Sequence, residues 1–143
     1  MSKVAEILAA KGADIFSVDA DASVLDAAKQ MIDANVGAML VTVEGRITGI
    51  VTERDYLRRV TLEGRTDRET AVRSIMSSPL IVVGLDTSVE DCMSMMTEQR
   101  IRHLPVADAG EIVGVVSIGD LVKFVSNQQS VQIQYLTEYI NTR

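Results

Sequence analysis

The chain has little of what catalytic and extracellular proteins commonly rely on. Among its 143 residues there is one cysteine, Cys92, one histidine, His103, two prolines, no tryptophan and only 3% aromatic residues. A lone cysteine excludes an internal disulfide framework. One cysteine and one histidine cannot furnish a His/Cys zinc site. Few aromatics means few stacking platforms for single-stranded nucleic acid. No apolar run reaches the roughly 18 residues that a membrane span needs. The N-terminus, Met1-Ser2-Lys3-Val4-Ala5-Glu6, lacks the apolar core of a secretory leader. The expectation is a soluble, cytoplasmic protein in a reducing compartment, without membrane contact.

What is present is an ordinary globular composition. Apolar residues are 47% and charged residues 24%. Fourteen basic residues face 20 acidic ones, a net charge of −6. The length suits one domain or two very small ones sharing a core. A chain of this size buries roughly two-thirds of its unfolded surface. The acidic balance disfavours nucleic acid as a partner, though a local basic pocket can still hold a small anion.

The strongest internal signal is a repeat at an offset of 65 positions. Val18, Asp21, Ser23, Val24, Asp26 and Met31 fall on Val83, Asp86, Ser88, Val89, Asp91 and Met96. Further on, Val41, Gly45, Ile47, Gly49, Val51, Asp55 and Val60 fall on Val106, Gly110, Ile112, Gly114, Val116, Asp120 and Val125. The copies read alike. Short β-prone segments at 15–18 and 80–83 come first. Ser23 and Ser88 then stand as N-caps, with Asp26 or Asp91 three residues on. Apolar positions at helical spacing carry each helix to about Asn35 or Arg100. Two strands follow around Gly45 or Gly110. A last helix runs over 53–62, or from Ile118 onward.

The unit is strand, helix, strand, strand, helix. The predicted fold is α/β (α+β), with two βαββα repeats packed about a pseudo-two-fold axis. Residues 4–62 form the first repeat with a leading helix over 4–11. Residues 63–69 are a polar linker. Residues 70–125 form the second repeat, opened by a helix over 70–76. The three-or-four spacing of Ile118, Val122, Val125, Gln129, Ile133, Leu136 and Ile140 extends the last helix over 126–143. Its narrow apolar stripe fits a dimer contact, the alternative being a helix folded back on its own domain.

These motifs resemble the CBS domain, named after cystathionine β-synthase, in a tandem pair. The resemblance is carried by Gly49-Ile50-Val51-Thr52-Glu53-Arg54-Asp55, by Gly114-Val115-Val116-Ser117-Ile118-Gly119-Asp120, and by Arg100-Ile101-Arg102-His103-Leu104-Pro105-Val106. It spans about residues 4–125 and is similar to the stand-alone single-pair members of bacteria and plant organelles. It implies a regulatory module whose clefts between copies bind adenine nucleotides: AMP first, with ADP, ATP, NAD or S-adenosylmethionine as others. It implies no required cofactor, a disc-shaped homodimer and a downstream protein partner of unknown identity.

The resemblance also picks out residues. Thr52 and Asp55, and Ser117 and Asp120, form a hydroxyl-x-x-carboxylate pattern at a strand-to-helix junction. Locally that pattern is a helix cap. The carboxylate can equally accept ribose hydroxyls, and the helix N-terminus favours an anion. Arg54, Arg102, His103 and, more weakly, Lys11 are phosphate candidates. The first copy has Gly37 and Ala38 where the second has Arg102 and His103, and the second has Gly119 opposite Arg54, so the sites are unequal. The base slot falls to Phe16, Val18 and Val36, and to Ile81, Val83 and Ile101, each of which also suits a core. Met93, Met96 and Cys92 read as core. An enzyme is disfavoured because no activated nucleophile is recognisable. The alternative is a structural dimerisation scaffold with an empty cleft.

Overall fold

The computed structural model describes residues 2–128. The expected helical extension over 129–143 lies outside the described residues. Chain order is α1 (Val4–Lys11), β1 (Ser17–Asp19), α2 (Val24–Ala34), β2 (Ala38–Val43), β3 (Arg46–Thr52), α3 (Glu53–Tyr56), β4 (Val83–Gly84), α4 (Val89–Gln99), β5 (His103–Asp108), β6 (Glu111–Ser117) and α5 (Ile118–Gln128). The fold is mixed α/β, with two three-stranded sheets ordered β1-β2-β3 and β4-β5-β6. In each, the last two strands pair antiparallel and the short first strand runs parallel to the middle one.

Local chemistry explains the helices. Ser23 Oγ accepts the Asp26 N–H at 3.1 Å, and Ser88 Oγ accepts the Asp91 N–H at 3.1 Å. Both helices end on a left-handed residue, Asn35 at φ 55° and Arg100 at φ 56°, as helices commonly do. The hairpins turn on Glu44-Gly45 and Ala109-Gly110, all with positive φ. That is the two-residue turn whose twist matches the flanking strands. Each hairpin also carries a register shift at the same place, Val41/Thr42 and Val106/Ala107.

Four expectations need correction. The opening strands are shorter and later than 15–18 and 80–83, because pairing begins only at Ser17 and Val83. The helix over 53–62 is α-helical for one turn and then widens over Leu57–Thr61, where Leu62 N–H reaches Leu57 C=O and Arg65 N–H reaches Val60 C=O. The helix over 70–76 is a single 3₁₀ turn, Val72–Ser74, entered from extended Ala71. Most telling, the leading segments do not pack with the repeats that follow them.

Asp14–Ile81 form one compact unit, and the residues before and after it form the other. Val4 N–H donates to Thr87 C=O at 2.9 Å, and Val89 N–H donates to Ser2 C=O at 3.0 Å. The first repeat makes the same pair of bonds to a different segment: Val72 N–H to Ala22 C=O and Val24 N–H to Thr70 C=O, both 2.9 Å. Packing follows. Val4, Ile7 and Leu8 join the core of Val83, Val89, Cys92, Leu104, Val106 and Leu121. Val72 and Ile75 join Val18, Val24, Met31, Val41 and Val51. Chain order sets each segment with the repeat that follows it, whereas each packs in the other unit.

One buried atom marks a local cost. Thr48 Oγ1 has no hydrogen-bond partner among the described residues, and an unmet buried hydroxyl costs about 1–3 kcal/mol. The matching residue of the second repeat is Val113, packed on its core. Thr48→Val is isosteric and removes the hydroxyl. It is expected to raise the unfolding free energy by about 1 kcal/mol in urea titrations. An unchanged or lower midpoint would show that the hydroxyl is satisfied in solution.

Candidate functional site

Each unit builds a polar site where its last strand becomes a helix. In the first repeat, Thr52 ends β3 with extended backbone and caps α3. Thr52 N–H donates to Asp55 Oδ2 at 2.9 Å, and Asp55 N–H donates to Thr52 Oγ1 at 3.1 Å. In the second repeat, Ser117 N–H donates to Asp120 Oδ2 at 2.8 Å, and Asp120 N–H donates to Ser117 Oγ at 3.1 Å. This reciprocal pair satisfies donors that a helix start would leave open. Both carboxylates spend Oδ2 on the cap, and Oδ1 takes none of these bonds.

The middle strands set the neighbours. Ala38 lies opposite Thr52, and His103 opposite Ser117. Glu53 N–H donates to Gly37 C=O at 3.1 Å, and Ile118 N–H to Arg102 C=O at 2.9 Å. The second site thus gathers Arg102, His103, Ser117 and Asp120, where the first has two small neutral residues beside Thr52 and Asp55. Arg54 is exposed on the first turn of α3. Lys11, the last residue of α1, comes to the second site over a long chain separation. Its Nζ donates to Asp120 Oδ2 at 2.6 Å and to Val115 C=O at 2.8 Å.

The electrostatics differ accordingly. Burial pushes the Asp55 carboxyl above its ordinary value, against weaker opposing help from Thr52, Arg59 and Arg58. Burial also works on Asp120, yet Lys11 and Ser117 together outweigh it and hold that carboxyl below its ordinary value. The signs of the pH effects are therefore opposite. Asp120 stabilises the fold above the usual aspartate pKa of about 3.9, and that contribution is lost as pH falls through its depressed value. Asp55 carries a penalty when ionised, which appears as pH rises from the usual value through its elevated one. Chemical denaturation across pH should show Asp120→Asn losing about 0.5–1 kcal/mol at neutral pH. Asp55→Asn should lose none there, and should instead remove a decline in stability with rising pH. Parallel profiles for the two variants would contradict the asymmetry.

The apolar candidates divide. Val18 and Val83 are 5% exposed and belong to the cores. Val36 and Ile101 pack against those cores from the edge. Phe16 and Ile81 stand 39% and 40% exposed. Phe16 borders an open depression of ≈ 540 Å³ with Gln30, Asp33 and Met39, and neither Thr52 nor Asp55 lines it. That depression therefore does not join Phe16 to the capped carboxylate.

Other chemistry is sparse. Cys92 is fully buried, and burial, then Asp91, pushes its thiol up, away from nucleophilic use. Met96 is in the core, with Met93 and Met95 against it. Among the described residues no group of three or more His, Cys, Asp or Glu could hold a metal ion. No helix among them is long and apolar enough to cross a membrane. Sequence reading missed the Tyr56 O–H bond to Asp67 Oδ2, 2.7 Å. It ties the last residue of α3 to the stretch read as linker, and nothing in the local pattern marks it.

Comparison with known proteins covers both repeats. A family model described as the CBS domain matches residues 4–62 and 72–127. The chain is 42% identical over 125 residues to CBSX3, a mitochondrial CBS domain-containing protein of Arabidopsis thaliana. The match covers 84% of this chain but only 61% of that one. A solved CBS-domain protein of Burkholderia ambifaria MC40-6, named for signal transduction, superposes with a TM-score of 0.87 at 46% identity. It covers 90% of this chain and 96% of that one. A CBS domain pair crystallised with 5′-methylthioadenosine and S-adenosyl-L-methionine superposes with a TM-score of 0.77. At 22% identity over 90% of this chain and 98% of that one, the likeness is one of fold.

Proposed function

The chain belongs to the CBS-domain family, and from that premise we propose that it is a non-catalytic regulatory module for an adenosine-containing ligand. AMP is the first candidate, ahead of ADP, ATP and NAD. The observation that carries the reading is the capped carboxylate built twice, Thr52 with Asp55 and Ser117 with Asp120. Each cap bond uses one lone pair of Oδ2, and a ribose diol would be accepted by Oδ1 together with the second lone pair of Oδ2. Helix N–H groups, with Arg54 in one repeat and Arg102 and His103 in the other, suit a phosphate.

Ligand binding shifts the conformational balance by its differential affinity for two states, and a partner protein reads the change. A homodimer is the expected assembly. The buried thiol, pushed up by burial, favours a binding role over catalysis by Cys92.

Thermal unfolding with AMP, ADP, ATP, NAD and S-adenosylmethionine tests this. A ligand at a hundredfold excess over its Kd adds about 2.7 kcal/mol. The rise should be selective for one ligand and shrink in Asp55→Asn or Asp120→Asn, both of which keep a capping acceptor. No rise with any of the five would leave the chain a structural dimerisation scaffold.

A further inference from the structure

The two caps agree to within 0.1 Å in both of their bonds, so what distinguishes the sites is what else touches the carboxylate. Asp120 Oδ2 already holds two donors, Ser117 N–H and Lys11 Nζ. The Lys11 ammonium is fixed by two acceptors at once, because it also donates to Val115 C=O. The residue matching Val115 in the first repeat is Ile50, and its carbonyl takes the Ser77 N–H at 2.8 Å instead. That strand edge is closed by backbone rather than by a lysine. Of the cations near Asp55, Arg59 is engaged with Ser74 C=O and Glu63. Among the described residues one capped carboxylate holds an ammonium and the other does not.

We propose that Lys11 is a latch on the second repeat: its ion pair with Asp120 must be broken before a ribose can take that carboxylate, whereas Asp55 needs no such step. The inference rests on the reading of both aspartates as ribose acceptors. Ribose hydroxyls and the ammonium are donors that compete for the same carboxylate. The pair is partly open to solvent, with side chains 36% and 24% exposed, so water and salt can release it. The first repeat then fills at lower ligand concentration, and the second responds only to more ligand or to conditions that weaken the pair.

Uncharged adenosine is the right probe, because its own binding has no ionic component. Calorimetric titrations use the full chain carrying Asp55→Asn, so that the second site dominates. Adding Lys11→Gln keeps a donor for Val115 C=O but removes the charge. It is expected to tighten adenosine binding about three- to fivefold. Raising salt from about 0.05 to about 0.5 M should tighten binding where Lys11 is kept and leave the Lys11→Gln variant unchanged. Lys11→Arg, which keeps the charge, should stay weak. Equal or weaker binding in Lys11→Gln, with the same salt response, overturns the latch alone. Absence of adenosine binding in the native chain and every variant overturns the latch together with the ribose reading.

Discussion

Leu104→Ala is expected to lower the unfolding free energy by about 2–5 kcal/mol, the range for emptying a fully buried leucine position. Leu104 is 0% exposed and sits in β5, the middle strand of its sheet. Its core draws on three separate stretches of chain: Val4, Ile7 and Leu8 of α1, Cys92 and Met96 of α4, and Leu121 of α5. Val106 and Val116, its neighbours on the sheet, are β-branched and stiff, which limits collapse into the gap. The loss should be felt in α1. Hydrogen exchange of α1 amides should speed up together with those of α4. Had α1 packed with the repeat that follows it in the chain, its amides would keep their protection. Unchanged exchange in α1 would therefore contradict the core described above, whatever the change in midpoint.

The part of the fold that could be read in advance is the part written locally. Ser23 and Ser88 cap because a short hydroxyl at the helix start accepts the backbone N–H three residues on. Asn35 and Arg100 end helices where the apolar period stops. Glu44-Gly45 and Ala109-Gly110 turn between alternating strands. Each device needs only a handful of adjacent residues. The offset of 65 extended this to the whole unit.

What escaped is non-local. β4 is two residues long, and only pairing with Val106 and Ala107 makes it a strand. The leading segments bond to the helix starts through matched positions, Ser2 with Val89 and Thr70 with Val24. Those segments match each other at an offset of 68 and read as counterparts, but nothing in that match says which repeat each one joins. Lys11 was legible as a basic residue ending a helix. Its partner lies 109 residues away, and no spacing rule connects them. The capped carboxylates were legible as a motif and their neighbours as unequal, but the lysine held by Asp120 was not.

Gly49→Ala is expected to cost about 1–3 kcal/mol by overpacking, and Gly114→Ala, at the matched position, clearly less. Both glycines lie opposite the middle strand, against Val41 and Val106 respectively, and neither needs positive φ, so only space decides. A Cβ on Gly114 would meet Leu8 Cδ2 at 2.9 Å and Cδ1 at 3.1 Å. Those are the ends of a flexible side chain, which can turn aside. A Cβ on Gly49 would lie 2.9 Å from Met76 Sδ and 2.9 Å from the Ser77 carbonyl oxygen. The sulfur can move, but the carbonyl cannot. Ser77 C=O accepts the Ile50 N–H at 3.0 Å, Ser77 N–H donates to Ile50 C=O at 2.8 Å, and Ser78 Oγ donates to Thr48 C=O at 3.0 Å. The backbone at 77–78 is thus tied to β3 on both sides of Gly49, and retreat would break those bonds. Urea unfolding of both alanine variants measures the difference. Met76→Ala combined with Gly49→Ala removes the sulfur and leaves the carbonyl, so it should restore none of the lost stability. Recovery in that double variant, or equal losses at the two glycines, would mean that the segment at 77–78 is free to yield and that the strand-edge bridge does not hold it.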